Sequence, residues 1–165
     1  LLLSGGYTSD RIMAWRAPER YASDEGYQIL QSEYAIGSGG LLGLGFGKGR
    51  QKYLYLPEEH NDYIFAVVCE ELGFIGAVAI LLLFALLIIR GFWIAIHARD
   101  RFSMLLGVGL TALLAIQVIL NVAVVTNLLP STGISLPFFS SGGTALVMQL
   151  AECGIMLNIS RSIGD

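Results

Sequence analysis

The chain has 165 residues, 55% hydrophobic and 14% charged, with a mean hydropathy of +0.66. Soluble domains carry about a quarter charged residues, so a soluble enzyme, a nucleic-acid binder and a disordered tail are poor fits from the start. The net charge of −3 gives a polyanion little to bind, and Cys69 and Cys153 lie in apolar runs, which argues against a disulfide framework or a zinc site. The composition is that of a membrane protein or a piece of one.

In chain order, Leu1-Leu2-Leu3-Ser4 has no initiating methionine, basic region or small-residue cleavage site. It reads as the last turn of a truncated apolar helix over 1–4, not as a signal peptide. A long loop over 5–61 follows, and residues 5–62 hold six of the ten basic and eight of the thirteen acidic side chains. Within it, Asp24–Ile36 predicts a short amphipathic helix. Tyr27, Leu30 and Tyr34 recur there at helical spacing, with rings suited to a headgroup boundary.

The glycine-rich stretch Gly37–Gly49 fails as a phosphate loop. Leu42 stands where a Walker motif needs glycine, and Gly49 follows Lys48 where a hydroxyl is needed. Two readings of it remain. Either the backbone packs closely and turns at the interface, or its amides join Lys48, Arg50 and Lys52 around a pyrophosphate at the membrane surface.

Leu72–Ile89 is an uncharged run of eighteen residues, which at ~1.5 Å per residue covers roughly 27 Å of the ~30 Å hydrocarbon core. Begun at the N-cap candidates Asn61 or Asp62, the predicted span covers 62–89. A connection over 90–101 carries Arg90, His97, Arg99 and Arg101. The fifty residues Phe102–Ala151 then contain no ionisable side chain. Pro130, Gly133 and Pro137 break that run, leaving spans over 102–127 and 142–159, a loop over 128–141 and a tail over 160–165. Three arginines against one acid in 90–101 place that connection and the tail in the cytoplasm, and the two loops outside.

Glu70 and Glu71 near the outer end of a span call for a partner, water or a polar cavity. Gln117 and Asn121 share a helix face and fit interhelical hydrogen bonding. Glu152 fits a structural partner, and His60 and His97 lack metal-ligand spacing. The loop from Thr132 to Gly143 combines apolar residues, hydroxyls and paired glycines, which suits backbone tucked against protein. These features describe an outward polar site at headgroup depth, and alone they leave a transporter, a lipid-processing enzyme and an assembly platform all open.

The motifs go further. Gly26-Tyr27-Gln28, Gln31-Ser32 and Ala35-Ile36-Gly37-Ser38-Gly39-Gly40 come first, then Gln51, Leu56-Pro57-Glu58 and His60-Asn61-Asp62-Tyr63-Ile64-Phe65-Ala66. Glu70-Glu71-Leu72-Gly73, Leu129-Pro130-Ser131-Thr132-Gly133, Leu136-Pro137-Phe138, Ser140 and Gly142-Gly143 follow in order. Together they resemble the SEDS family of bacterial membrane proteins, the FtsW, RodA and SpoVE group, across nearly the whole chain. Tyr27-Gln28 resembles the division and sporulation branch.

The resemblance implies an all-α polytopic membrane protein in which these are the last three of ten helices, preceded by a large extracytoplasmic loop with an interfacial helix. It implies a peptidoglycan glycosyltransferase of the bacterial plasma membrane that polymerises lipid II, releases undecaprenyl pyrophosphate and works with a class B penicillin-binding protein. Nucleic acid is not a partner on this reading. No cofactor is required by it, and a divalent cation is left open.

A loop aspartate of the family falls on Tyr21 when the chain is aligned without gaps on Trp15, Pro18 and Gly26-Tyr27-Gln28. Asp24 is therefore the candidate general base and Glu19 the second; the structural alternative for Asp24 is a helix N-cap. Ser140, Glu58, Asp62, Glu71, Gln28, Gln31 and Lys48 are candidate substrate contacts. A lipid-linked precursor flippase and a non-catalytic scaffold for the penicillin-binding protein remain alternatives.

Overall fold

The structure, a computed structural model, describes residues 12–13, 15–21, 25–49, 63–139 and 142–163. Every element among them is helical. A 3-10 turn at Pro18–Tyr21 precedes α1 (Glu25–Gly39), α2 (Ile64–Ile96), α3 (Arg101–Val125) and α4 (Gly143–Arg161). The last three are long and apolar enough to cross a membrane. The expected truncated helix over 1–4 lies outside the described residues.

The α1 helix covers the expected amphipathic segment and runs on to Gly39. Its buried stripe is Ile29, Ser32 and Ala35, while Tyr34 is exposed. Ser32 Oγ donates to the Ile29 carbonyl at 2.8 Å and reaches the Val125 carbonyl at 3.4 Å, so a buried hydroxyl joins α1 to the end of α3. Gly40 then takes φ 54, the left-handed conformation that ends helices at low cost when glycine supplies it.

The α2 helix differs from expectation twice. It runs through Arg90 to Ile96 instead of stopping at Ile89, which shortens the polar connection to 97–100. The Arg90 guanidinium lies 4.3 Å from the Trp93 ring centroid, and Trp93 stacks on His97 at 4.3 Å, so the charge rests on an aromatic ladder without ending the helix. The second difference is a break at Gly73, whose φ of 68 and ψ of −170 belong to no helix.

Small residues bring α2 and α3 together. A Cβ added at Gly91 would lie 2.7 Å from Thr111 Oγ1, and one at Gly107 would lie 3.0 Å from Ala95 Cβ. Gly91/Ala95 and Gly107/Thr111 are both pairs four apart, the small-xxx-small spacing that lets membrane helices approach closely. Thr111 Oγ1 donates to the Gly107 carbonyl at 2.8 Å, so its hydroxyl needs no partner across the interface.

The start of α3 is capped by Asp100, whose Oδ2 accepts from Ser103 N at 2.8 Å. That backbone hydrogen bond holds the Asp100 carboxyl below the usual aspartate range. At the other end, Asn127 N donates to Val124 O and Leu128 N to Ala123 O, a Schellman closure with Asn127 at φ 58.

Asn121 reaches a loop. Its Nδ2 donates to the Ile134 carbonyl at 2.9 Å in the following loop. Phe138 N donates to Gln149 Oε1 on α4 at 2.7 Å, and Leu136 and Pro137 are buried. Two polar side chains within the spans therefore hold the 128–139 backbone against protein, where bare loop could not survive.

Candidate functional site

The glycine-rich stretch and the break in α2 form one feature. In a continuous helix Phe74 N would bond Glu70 O, and Ile75 N would bond Glu71 O. Instead Phe74 N donates to Gly40 O at 2.9 Å and Ile75 N to Leu41 O at 3.2 Å. The two abandoned carbonyls are taken by the same loop. Leu44 N donates to Glu70 O and Gly45 N to Glu71 O, both at 3.0 Å. Two intrahelical bonds are thus exchanged for four to the loop, and the two amides and two carbonyls released at the break all find partners there.

Glycine is required on both sides of this clamp. A Cβ at Gly73 would overlap Gly43 N, and a Cβ at Gly43 would overlap Glu71 O. Gly73 also occupies a region of φ/ψ space that other residues enter only at a cost of about 1–3 kcal/mol.

The clamp carries a pair of acids. Glu70 is 2% exposed and Glu71 7% exposed, at the end of the first half of α2. The loop returns to them at Gly49, where an added Cβ would lie 2.9 Å from Glu70 Oε2 and 3.2 Å from Glu71 Oε1. Bare backbone therefore stands directly against both carboxyl groups. Such a pair can accept hydrogen bonds or a proton from a polar group brought to the same place.

Much of the glycine stretch's backbone is already committed within the protein. The amides of Gly43, Leu44, Gly45 and Lys48 are already donating to Gly39, Glu70, Glu71 and Gly45 carbonyls respectively. The Lys48 side chain beside them is exposed. Close packing is thus one role its backbone performs.

Of the other candidates, Glu19 is exposed on the 3-10 turn and Gln28 and Gln31 are half-buried on α1. Asp24, Glu58, Asp62 and Ser140 lie outside the described residues, as do His60, Arg50 and Lys52. The clamp brings Glu71 and the Lys48–Gly49 segment together. No hydrogen bond among the described residues joins Glu19, Gln28 or Gln31 to them. No group of three His, Cys, Asp or Glu side chains among the described residues is placed to hold a metal ion.

Glu152 stands apart from the clamp. It lines a cavity of about 450 Å³ between α2, α3 and α4, together with Leu87, Arg90, Leu110 and Gln149. The cavity is mainly apolar, and Gln149 is already engaged with Phe138.

Sequence reasoning missed Gly73 and Gly43 as partners. The signal for it was present: an isolated glycine inside an apolar run, and a second glycine-rich segment with no other use.

Comparison with known proteins gives the following. The family described as "Cell cycle protein", covering FtsW, RodA and SpoVE, matches residues 1–164. Stage V sporulation protein E of Bacillus subtilis is 49% identical over 98% of this chain and 44% of its own length. "Probable peptidoglycan glycosyltransferase FtsW" of Trichlorobacter lovleyi is 45% identical over 99% of this chain and 43% of its own. A solved structure described as "Structural coordination of polymerization and crosslinking by a peptidoglycan synthase complex" matches with a TM-score of 0.75 at 30% identity. That match covers 95% of this chain and 42% of the solved one. The chain spans less than half the length of these relatives.

Proposed function

The chain belongs to the FtsW, RodA and SpoVE family, and from that membership we propose that the protein is a peptidoglycan glycosyltransferase that polymerises lipid II in the bacterial plasma membrane. The name of the FtsW relative supports the reaction, and the matched synthase complex supports a class B penicillin-binding protein as partner. The cluster of arginines around 90–101 supports a cytoplasmic position for that connection, with the glycine clamp facing outward.

The observation that carries the reading is the buried Glu70–Glu71 pair at the break in α2, in a chain of this family. A polar site at the end of an apolar span is where a lipid-anchored sugar donor would present its pyrophosphate. In the reaction a carboxylate takes the proton of the acceptor's 4-hydroxyl, and that oxygen bonds to the donor's anomeric carbon. The bond from that carbon to the phosphate oxygen breaks, and undecaprenyl pyrophosphate leaves. Asp24 is the base in this proposal and Glu19 its substitute. Glu71, Gln28, Gln31, Lys48, Glu58, Asp62 and Ser140 contact substrate or shape its site.

The test uses the full-length protein with its penicillin-binding partner, labelled lipid II and a gel that resolves glycan chains. Long chains from wild type and none from Asp24→Asn are expected, with the complex intact in both. Unchanged synthesis in Asp24→Asn, Glu19→Gln and the double variant overturns the assignment of the base. No chains from wild type within an intact complex overturns the activity and favours a scaffold.

A further inference from the structure

Trp15 is part of the motif that precedes Gly26, and the proposed chemistry gives it nothing to do. Its indole Nε1–H donates to the Asn127 carbonyl at 3.0 Å. Asn127 in turn donates from Nδ2 to Glu33 Oε1 at 2.8 Å. One residue at the end of α3 therefore ties down both α1 and the segment before it. The same two helices also approach at Ser32, whose hydroxyl, bonded to the Ile29 carbonyl, lies 3.4 Å from the Val125 carbonyl.

From Trp15 the backbone leads directly to a candidate base. Ala17 N donates to Met13 O at 3.1 Å and Arg20 N to Ala17 O at 3.0 Å, so local bonds link Met13 to Ala17 and Ala17 to the 3-10 turn. Glu19 stands four positions after the tethered indole on that turn. Two local bonds and a four-residue turn are too little to fix a side chain in space by themselves. The indole bond supplies the external reference. Asn127 suits its place for two reasons: asparagine tolerates the φ of 58 that the helix end demands, and its amide adds the bond to Glu33 that glycine could not.

We infer that the Trp15–Asn127–Glu33 junction positions the outer segment that carries Glu19, making Trp15 and Asn127 positioning residues for glycosyl transfer. The inference rests on the proposed function in the form in which Glu19, the substitute for Asp24, is the general base. A base must come within about 2.6–3.2 Å of the proton it removes, and a misplacement of about 1 Å can cost on the order of 100-fold. Loosening the junction therefore acts on turnover more than on substrate capture.

The experiment compares wild type, Trp15→Phe, Asn127→Gly, Glu33→Ala and Glu33→Gln in the full-length complex. Trp15→Phe removes the indole donor while keeping an aromatic ring, though a smaller one; Asn127→Gly keeps the backbone conformation and carbonyl while removing the amide. Amide exchange at Ala17 and Arg20 is read alongside kcat and KM for lipid II.

Exchange about three- to tenfold faster in Trp15→Phe is expected, the loss of one net hydrogen bond, with kcat lowered by a similar factor and KM unchanged. Glu33→Gln, which keeps the acceptor oxygen, behaves as wild type, whereas Glu33→Ala follows Asn127→Gly. Unchanged exchange in Trp15→Phe overturns the junction itself. Faster exchange with unchanged kcat, or a rise in KM alone, overturns the positioning role. If wild type makes no chains, the positioning role falls with the proposed function, and the exchange arm separates that result from failure of the junction.

Discussion

Replacing Gly73 with alanine tests the clamp through a specific pattern of gains and losses. Alanine at φ 68 and ψ −170 costs about 1–3 kcal/mol in backbone strain. Its Cβ would also overlap Gly43 N and lie 2.7 Å from Leu41 O, both backbone atoms that no rotamer change can move. The alternative is for α2 to close into a continuous helix and release the loop. That route loses four hydrogen bonds to the loop and regains two within the helix, a net cost of about 1–3 kcal/mol at about 0.5–1.5 kcal/mol each. Release is the cheaper course because it avoids both strain and overlap.

The assay is residue-resolved hydrogen exchange on the full-length protein in a lipid bilayer. At a shift of about 2 kcal/mol, Leu44 and Gly45 lose roughly 30-fold of their protection, while Phe74 and Ile75 keep theirs because Glu70 and Glu71 carbonyls become their acceptors. Gly109→Ala is the control, since a Cβ there meets nothing within 4 Å. Unchanged protection at Leu44 and Gly45, or its loss at Phe74 and Ile75 as well, would refute the exchange of partners.

Other substitutions follow from the same packing. Gly91→Val drives a β-branched side chain into Thr111, already 2.7 Å from an added Cβ; it lowers stability by about 1–3 kcal/mol in thermal unfolding, whereas Gly154→Ala, where an added Cβ meets nothing within 4 Å, does not lower it. Gln149→Leu removes the acceptor of Phe138 N and costs about 1–3 kcal/mol for the orphaned amide, read as faster proteolysis of the 128–139 loop. Asp100→Asn keeps a capping oxygen for Ser103 but cannot titrate. Because the Asp100 carboxyl is held below its unfolded value, its contribution is present above the ordinary aspartate range and is lost as pH falls through the lowered folded value. The variant therefore lacks that acid-side fall when thermal stability is followed against pH.

The three spans were legible because long apolar runs have few alternatives, and Pro130, Gly133 and Pro137 marked the break between the last two. The true end of α2 was not. A charge at Arg90 reads as a boundary, yet a guanidinium over Trp93 can remain on a helix that continues to Ile96. The break at Gly73 was hidden for a related reason: one glycine among aliphatic residues is compatible with a helix, and only the partner loop some thirty positions earlier makes it a joint. Glu70 and Glu71 were visible as costly charges, but not the glycine backbone set against them. Asn121 was legible as a buried polar residue, while its bond to the Ile134 carbonyl depends on where the loop folds back.

The most direct test of the central claim is to count both products of the reaction in one vesicle preparation. Full-length protein and its penicillin-binding partner are placed in liposomes with labelled lipid II, and glycan length and undecaprenyl pyrophosphate are followed together. The account predicts that chains lengthen while one undecaprenyl pyrophosphate accumulates for each new glycosidic bond. Movement of lipid II between leaflets, with neither chain growth nor pyrophosphate release, would contradict it and identify a carrier.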